Sequence, residues 1–278
     1  MNKKGSLNPS LEELVKKFSK SDVIAEMEKE YQSLSPTELP LREIDDSPFL
    51  KRVEPNPTLV EQMIPSIQQK GLFNPLVVRK VSSHYELILG RKRYFAAKRA
   101  GLESVPTAIK DVDDEETLLM LLADTRDQRE ANVVEMAALY DALSNRYGYS
   151  KNLLATLSHQ SRSQVVNSMR ILSLPDDVIT MVSKGELSYG HARALCPLSS
   201  SLVHRAVREI VKNKLSVRET EVLSASLKGE KVDPSHPDLA LLSGAQNVVE
   251  KENSLDFRFA TKKEKENFIA LLLAFLNK

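Results

Sequence analysis

Within the first 230 residues of this 278-residue chain, the pattern of apolar residues changes near residue 40 and again close to residue 112. Between these points, the runs Leu76-Val77-Val78 and Tyr85 to Leu89 are typical of strands and predict a hairpin across Ser82-Ser83. Residues 41–44 are expected to be extended, Pro55 and Pro57 to break the chain, and Thr58 to cap a helix that runs to Gln69. A second helix is predicted from Arg91 to Ala100, with Gly101 as its stop. From Asp114 to Ser226 the apolar residues recur with helical spacing, and Gly, Pro or Ser residues separate the runs. The sequence therefore predicts an α+β unit followed by an all-helical unit.

Proline positions and local composition divide the chain further. The start is rich in Lys, Ser and Glu and predicts one or two weak amphipathic helices on a tail whose stability depends on a partner. A polar stretch that ends in two prolines predicts a linker before the last forty residues. The predicted segments are a tail (1–36), an α+β domain (37–125), a helical domain (126–227), a linker (228–237) and a C-terminal unit (238–278).

The C-terminal unit is predicted to contain short strands at residues 247–249 and 255–259, followed by a helix that Thr261 caps. The apolar residues of that helix crowd together from Phe268 to Leu276, and so small a unit does not bury them alone. We therefore expect a symmetric homodimer. Docking of the unit onto the helical domain of the same chain is the alternative.

Several classes of protein are excluded by composition. The chain has no apolar run of 18 residues and no hydrophobic leader, so we expect a cytoplasmic protein that does not cross a membrane. Its one cysteine, Cys196, rules out an internal disulfide and a thiolate cluster, and it is predicted to be a buried apolar residue. The five histidines show no spacing typical of zinc ligands.

The net charge of +1 conceals two regions of opposite sign. Residues 111–141 contain ten acidic and two basic side chains, whereas residues 146–218 contain eleven basic and four acidic ones. A basic segment in a neutral protein is expected where a domain binds a polyanion. A solvated helical face is the alternative explanation.

The basic segment contains two short predicted helices joined by a tight turn, which is a helix-turn-helix pattern. Ala155 is small where the helices would cross, and Val165 and Met169 would fill the space between them. The start of the second helix enters the major groove in that geometry, although helix pairs are also common in proteins that bind no DNA. The predicted DNA-contacting residues are Ser161, Arg162, Ser163, Gln164, Asn167 and Arg170.

Two further groups of residues suggest an anion site. Gly90-Arg91-Lys92-Arg93 lies at a strand-to-helix junction, where free backbone N–H groups and basic side chains suit a phosphate. An exposed basic helix explains these residues equally well, and the chain has no Walker loop. Asp124 and Thr125 offer oxygen ligands for a magnesium ion, with solvated charge at a helix end as the alternative.

Taken together, these segments resemble the ParB family of chromosome and plasmid partition proteins over residues 44–223. Residues 71–79 resemble the opening strand of the family, and residues 85–102 its basic box. Residues 161–175 resemble the recognition helix, and Gly185 to Leu195 is close to the GxLSxGHARAL signature. Residues 215–221 match a further helix start, and the order of these motifs makes the resemblance specific.

The resemblance implies a sulfiredoxin-like domain that binds CTP with Mg²⁺, a helix-turn-helix domain and a C-terminal dimerisation unit. It also implies a dimer that binds a palindromic centromere site of the parS type and then closes as a clamp that slides along DNA. The implied partners are a ParA-type ATPase, contacted through the tail, and an SMC-type condensin, and the implied location is the nucleoid. Lys3, Lys4, Lys16 and Lys17 are the tail's candidates for the ATPase contact.

Carried over by position, Gly90, Arg91, Lys92 and Arg93 would cradle the triphosphate. Asp124 and Thr125 take the place of the family's Glu-Asn pair, with Asp124 next to Mg²⁺. Gly190, His191 and Arg193 fall in the signature segment and join the predicted DNA contacts, where His191 either contacts phosphate or caps a helix. The chain departs from the family at both nucleotide motifs. The family's GERR is GRKR at residues 90–93 of this chain, and its ENxQR is DTRDQ at residues 124–128.

These departures favour CTP binding over hydrolysis, and they leave a weak CTPase activity open. A transcription regulator that has lost nucleotide use is the second hypothesis. A phosphotransferase or hydrolase is the third, but it needs a catalytic base, and no His or Cys is positioned for that role near Gly90.

Overall fold

The computed structural model describes residues 9–21, 23–33, 36–51, 53, 55–128, 132–228, 247–251, 254–258 and 265. The chain divides into two compact units, Met1–Val207 and Arg208–Lys278. All the predicted nucleotide and DNA contacts lie in the first unit.

The α+β part is built on a five-stranded mixed sheet. Its strands are β1 (Thr37–Pro40), β2 (Ile44–Asp45), β3 (Leu76–Val81), β4 (His84–Leu89) and β5 (Ser104–Lys110), in the order β1-β5-β3-β4-β2. The predicted hairpin is confirmed, because β3 and β4 pair antiparallel across the Ser82-Ser83 turn. Strand β3 also pairs parallel with β5. Residues 41–43, expected to be extended, form a 3-10 turn between β1 and β2.

Two helices, α3 (Pro57–Lys70) and α4 (Arg91–Ala100), pack against one another beside this sheet. The expected cap of α3, Thr58, is wrong by two residues: the side chain of Asn56 accepts the Thr58 N–H at 3.0 Å. Pro57 does not break the chain but occupies the first helical position, where its missing N–H costs nothing. Gly101 ends α4 in the left-handed conformation, as predicted.

The helical part contains α5 (Asp114–Asp127), α6 (Val133–Tyr147), α7 (Lys151–Ser158), α8 (Arg162–Arg170), α9 (Asp176–Ser183) and α10 (Tyr189–Leu195). Helix α11 (Ser200–Asn213) follows and runs across the boundary between the two units. The side chains of Asp113, Asn132, Ser150, Ser161 and Ser188 cap the helices that follow them. These capped starts explain why the sequence predicts the helix bounds closely.

The N-terminal segment is not the partner-dependent tail that its composition suggests. It forms α1 (Pro9–Phe18) and α2 (Val23–Ser33), which both contact α5. Phe18, Val23, Ile24 and Met27 are buried in the same hydrophobic core as the middle of α5. The packing supplies the apolar surface that two short helices need for stability. We call α1, α2 and the turn between them the N-terminal hairpin.

In the second unit, α12 (Val217–Leu227) starts in a capping box formed by Ser216 and Glu219. The two predicted C-terminal strands are present as an antiparallel pair, β6 (Asn247–Lys251) and β7 (Ser254–Arg258). The predicted final helix and the predicted linker lie outside the described residues, apart from Lys265 and Lys228. The predicted domain boundaries and the homodimer stay predictions. Within the described residues, no helix has the length and apolarity to cross a membrane.

Candidate nucleic-acid interface and anion site

Helices α7 and α8 form the predicted helix-turn-helix. His159 ends α7 with a positive φ of 54°, and the backbone N–H of Gln160 donates to the Ala155 carbonyl at 3.0 Å. Val165 on α8 is fully buried, and Ala155 on α7 is 9% exposed. The turn and the small residue bring the two helices together, and they leave the other face of α8 to solvent.

The start of α8 is held by a capping box. The Ser161 hydroxyl accepts the Gln164 N–H at 3.2 Å, and the Gln164 side-chain oxygen accepts the Ser161 N–H at 2.7 Å. The same hydroxyl lies 2.9 Å from the hydroxyl of Ser163. A capping box fixes the first turn of a helix, so the backbone that would face the major groove is rigid.

The predicted base-contacting residues of α8 lie on one accessible side of the helix. Arg162, Ser163 and Arg170 are exposed, and Asn167 is half-buried. Gln164 is also exposed, but its oxygen is part of the cap. A Gln needs both its oxygen and its nitrogen for bidentate pairing with adenine, so the expected role of Gln164 conflicts with its role in the cap.

The signature segment 185–195 supports α8 from one side through contacts of α10. Ser188 caps α10, and its hydroxyl lies 2.8 Å from His191 Nδ1 and 3.3 Å from the His191 backbone nitrogen. Gly190 lies inside α10, whereas Gly185 has the positive φ, 79°, at the turn after α9. Arg193 is exposed.

Cys196, at the end of α10, differs from its expected full burial. The residue is half-buried, and its thiol donates to the Ala192 carbonyl at 3.3 Å. Burial raises the pKa of the Cys196 thiol, while Arg170 acts in the opposite direction. The thiol is therefore the unreactive, protonated form at neutral pH.

The basic junction, which we define as Gly90 to Arg93, joins β4 to α4. Gly90 has a φ of 91°, and a Cβ there would lie 2.9 Å from Leu76 Cδ2 and 3.1 Å from Arg93 Nη2. Only glycine fits this position, because any side chain would meet both the left-handed strain and these two contacts. The N-cap has no side-chain acceptor, so the first N–H groups of α4 are suited to an anion.

Arg91, expected in an open cradle, is instead a buried side chain that joins three parts of the molecule. It donates to Asp46 at 2.8 and 2.7 Å, and to Glu135 on α6 at 2.5 Å. It also donates to the carbonyls of Leu50 and Val53. An arginine with so many internal acceptors links the α+β part to the helical part.

Arg93 is also held by internal acceptors. Its Nη1 donates to the carbonyls of Asn74 at 2.9 Å and Pro75 at 3.1 Å. Its Nη2 donates to Glu28 on α2 at 2.7 Å. The third cation, Lys92, is half-buried and lies within electrostatic range of Glu135.

Asp124 and Thr125 lie in the last turns of α5. Burial raises the pKa of Asp124 to about 6, and Arg93 opposes that rise. The Asp124 carboxylate accepts Gln128 Nε2 at 3.2 Å, and Gln128 Oε1 is buried without a hydrogen-bond partner. Thr125 is only 2% exposed, so its hydroxyl does not face an open site.

The donor set near Asp124 fits Mg²⁺ in the way that nucleotide sites hold it. The described residues contain no group of three His, Cys, Asp or Glu that could hold a metal ion alone. Mg²⁺ commonly takes one or two protein oxygens and completes its shell with phosphates and waters. The Asp124 carboxylate and the unpartnered Gln128 oxygen could supply those two oxygens.

Two residues that sequence reasoning did not single out tie the N-terminal hairpin to the helix-turn-helix. Arg126 donates to the carbonyls of Phe18 and Leu157, both at 2.8 Å, and to that of Lys20 at 2.7 Å. His159 Nε2 lies 2.7 Å from the Ser19 carbonyl. These contacts are to backbone carbonyls far away in the sequence, so no motif could have revealed them.

Two family models match the chain. The model of the ParB N-terminal domain matches residues 25–125, and that of the ParB HTH domain matches residues 129–229. The predicted fold is confirmed for these parts, since an α+β unit precedes a helical unit that contains the helix-turn-helix.

Two relatives agree with these matches. The "Probable chromosome-partitioning protein ParB" of Pseudomonas putida is 31% identical over 220 residues, 78% of this chain and 76% of that protein. The chromosome-partitioning protein Spo0J of Thermus thermophilus is 36% identical over 189 residues, 68% of this chain and 70% of that protein.

Two crystal structures of C-terminally truncated ParB from Caulobacter crescentus are also similar. One is in complex with the centromeric parS site (30% identity, 68% of this chain and 99% of that chain, TM-score 0.40). The other is in complex with CTP-gamma-S (31% identity, 61% and 97%, TM-score 0.31). By the sequence matches, this chain belongs to the ParB family of chromosome-partitioning proteins.

Proposed function

We propose that this protein is a sequence-specific DNA-binding partition protein that reads a palindromic, parS-like centromere site through α8. The exposed side of α8 carries the proposal, because Arg162 and Ser163 project from a first turn fixed by the capping box, and the half-buried Asn167 lies in the next turn. The net positive charge of residues 146–218 would attract DNA phosphates from the same part of the chain.

The test is a selection of duplexes from a random library with the full-length protein. The affinity for the selected sequence is then measured against a scrambled duplex of equal composition at moderate salt. We expect a palindromic site that binds about a thousandfold more tightly or better than the scrambled duplex. Equal affinities for the two duplexes would overturn the proposal.

The proposed ligand of the basic junction is CTP with Mg²⁺. A relative from Caulobacter crescentus has been solved with CTP-gamma-S, and in this chain Gly90 caps α4 without a side-chain hydrogen bond to its first N–H groups. The N–H groups of α4, Lys92 and Arg93 would hold the phosphates, and Asp124 with Gln128 would hold Mg²⁺. The metal would neutralise phosphate charge there. Arg91 is already bonded to Asp46 and Glu135, so we assign it no phosphate contact.

Isothermal titration of the full chain with CTP and Mg²⁺, with and without site DNA, tests this part. Binding of CTP that Lys92→Ala weakens, with site recognition unchanged, is the expected result. A lack of CTP binding in both titrations would favour the transcription regulator without nucleotide use. Release of phosphate from CTP during the titration would add a weak CTPase activity.

The remaining proposals concern assembly. The relatives are chromosome-partitioning proteins, and we propose a homodimer that closes on DNA as a sliding clamp and acts with a ParA-type ATPase and an SMC-type condensin at the nucleoid. Crosslinking across the dimer with CTP and site DNA tests the clamp, since closure should need both ligands. Of the tail lysines expected to meet the ATPase, Lys17 pairs with Glu116 at 2.8 Å, and Lys3 and Lys4 lie outside the described residues.

A further inference from the structure

The basic junction carries no excess of positive charge in this structure. Three cations, Arg91, Lys92 and Arg93, lie among four carboxylates, those of Glu28, Asp46, Asp124 and Glu135. A triphosphate would add several negative charges to a group in which carboxylates already outnumber cations. Binding therefore requires a divalent cation, the departure of a carboxylate, or both.

Glu28 is the carboxylate best placed to leave. Asp46 and Glu135 are bound to the deeply buried Arg91, with 16% and 7% of their side chains exposed. Glu28 holds Arg93 by one hydrogen bond, and 31% of its side chain is exposed. A partly exposed carboxylate regains hydration when it leaves an ion pair, so this contact costs less to break than the buried contacts of Asp46 and Glu135.

The position of Arg93 places Glu28 at the start of α4. A Cβ at Gly90 would lie 3.1 Å from Arg93 Nη2, so this guanidinium nitrogen covers the residue that caps α4. The same nitrogen donates to Glu28 Oε1, whereas Nη1 is held by the carbonyls of Asn74 and Pro75. Nη2 is thus the part of Arg93 that faces an anion, and Glu28 is that anion.

We propose that Glu28 is an intramolecular competitor of the triphosphate: its carboxylate holds Arg93 in the nucleotide-free protein, and a bound nucleotide has to displace it. This inference rests on the proposed nucleotide function and adds to it a residue that sets the affinity. The N-terminal hairpin thereby contacts both candidate sites, through Glu28 at the basic junction and through Ser19 at the turn of the helix-turn-helix.

The test compares the full-length wild type with Glu28→Gln and with Glu26→Gln as a matched control. Glu26 is exposed on the same helix, α2, so its substitution removes one negative charge from the N-terminal hairpin without freeing Arg93. Affinity is measured by isothermal titration with CTP and Mg²⁺, with inorganic tripolyphosphate, and with scrambled duplex DNA. Thermal unfolding of each variant shows whether the fold is retained.

We expect Glu28→Gln to bind CTP and tripolyphosphate about tenfold more tightly than the wild type, and Glu26→Gln to match the wild type. Equal gains for both variants would overturn the proposal in favour of general electrostatics. If Glu28→Gln gains affinity for scrambled DNA but not for CTP or tripolyphosphate, the proposal is overturned in favour of a site for DNA backbone phosphates.

Failure of the underlying nucleotide function gives a different result. If the wild type binds CTP and Glu28→Gln binds it no better, the competitor role is wrong and the nucleotide site stands. If neither the wild type nor any variant binds CTP or tripolyphosphate, the competitor role and the nucleotide site are both wrong, because freeing Arg93 then creates no anion site. Binding of CTP or tripolyphosphate by Glu28→Gln alone would support the competitor role and would count against nucleotide binding by the wild type.

Discussion

At the scale of single residues, burial and partners decide what a charged side chain can do. Arg91 and Arg93 are two positions apart in the same basic motif, yet Arg91 is 6% exposed and meets two carboxylates and two carbonyls. Arg93 meets a carboxylate that can leave. The first residue is therefore a structural link, and the second is a candidate phosphate ligand.

We expect Arg91→Met to lower the free energy of unfolding by about 3 to 5 kcal/mol, because it leaves Asp46 and Glu135 without their partner. Urea unfolding at pH 7 measures the loss. Arg99→Met is the control, since the Arg99–Glu61 pair is exposed and should contribute roughly 0 to 1 kcal/mol. Similar losses for the two variants would contradict the structural role of Arg91.

Asp124 makes stability depend on pH. Burial raises its pKa to about 6 in the folded state, so between about pH 4 and pH 6 the folded protein holds a proton that the unfolded chain releases. Stability therefore falls as pH rises through that window, and the cost of the buried charge is fully present above it. Arg93 opposes the cost, whereas Glu28 and Glu135 add to it.

In metal-free buffer, Asp124→Asn should raise the free energy of unfolding at pH 8 by about 1 to 3 kcal/mol, and by only about a third as much at pH 4.5. Denaturant unfolding at the two pH values gives the comparison. The exposed Asp111 provides the control through Asp111→Asn, which should change little at either pH. A gain that is the same at both pH values would show that charge on Asp124 is not the cause.

At the scale of elements, α8 combines two tasks in its first turn. Ser161 and Gln164 close the capping box, and Arg162 and Ser163 lie between them on the exposed side. The cap residues hold the backbone, and the residues between them are free of that role. Substitutions in this turn should therefore separate into losses of stability and losses of specificity.

Arg162→Ala should lower the ratio of specific to non-specific DNA affinity. The expected loss corresponds to about 1 to 3 kcal/mol of binding free energy, and thermal unfolding should be unchanged. Gln164→Ala should lower the unfolding temperature as well, because it removes half of the capping box. Fluorescence anisotropy with selected and scrambled duplexes measures the ratio. Arg42→Ala, an exposed arginine on the 3-10 turn after β1, is the control. An unchanged ratio for Arg162→Ala would exclude base contact by this residue.

At the scale of the whole molecule, a palindromic site calls for a two-fold symmetric protein. The sequence predicts that symmetry in the C-terminal unit, where the apolar residues of the predicted final helix need a partner. Sedimentation of the full chain should show a dimer at micromolar concentration. Leu272→Arg should give a monomer that binds the palindrome more weakly, whereas a wild-type monomer would contradict the prediction.

The sequence by itself determined the order of the two parts, the hairpin of β3 and β4, and the helix-turn-helix. It did so because capping residues, β-branched runs and helical spacing act over a few neighbouring residues. It also identified Gly90, since a left-handed residue between a strand and a helix is a local requirement. The family resemblance rests on the same local motifs.

Only the tertiary structure decided which charged side chains face one another. Glu28 and Arg93 are 65 residues apart, Arg91 and Glu135 are 44 apart, and Arg126 reaches carbonyls on the N-terminal hairpin. Composition suggested a free tail and an open basic cradle. In the structure, α1 and α2 pack on α5, so the predicted tail is partly buried. The same packing brings Glu28 to Arg93, so one charge of the predicted cradle is neutralised. Charge pairing over such separations depends on the path of the whole chain, and no local pattern records it.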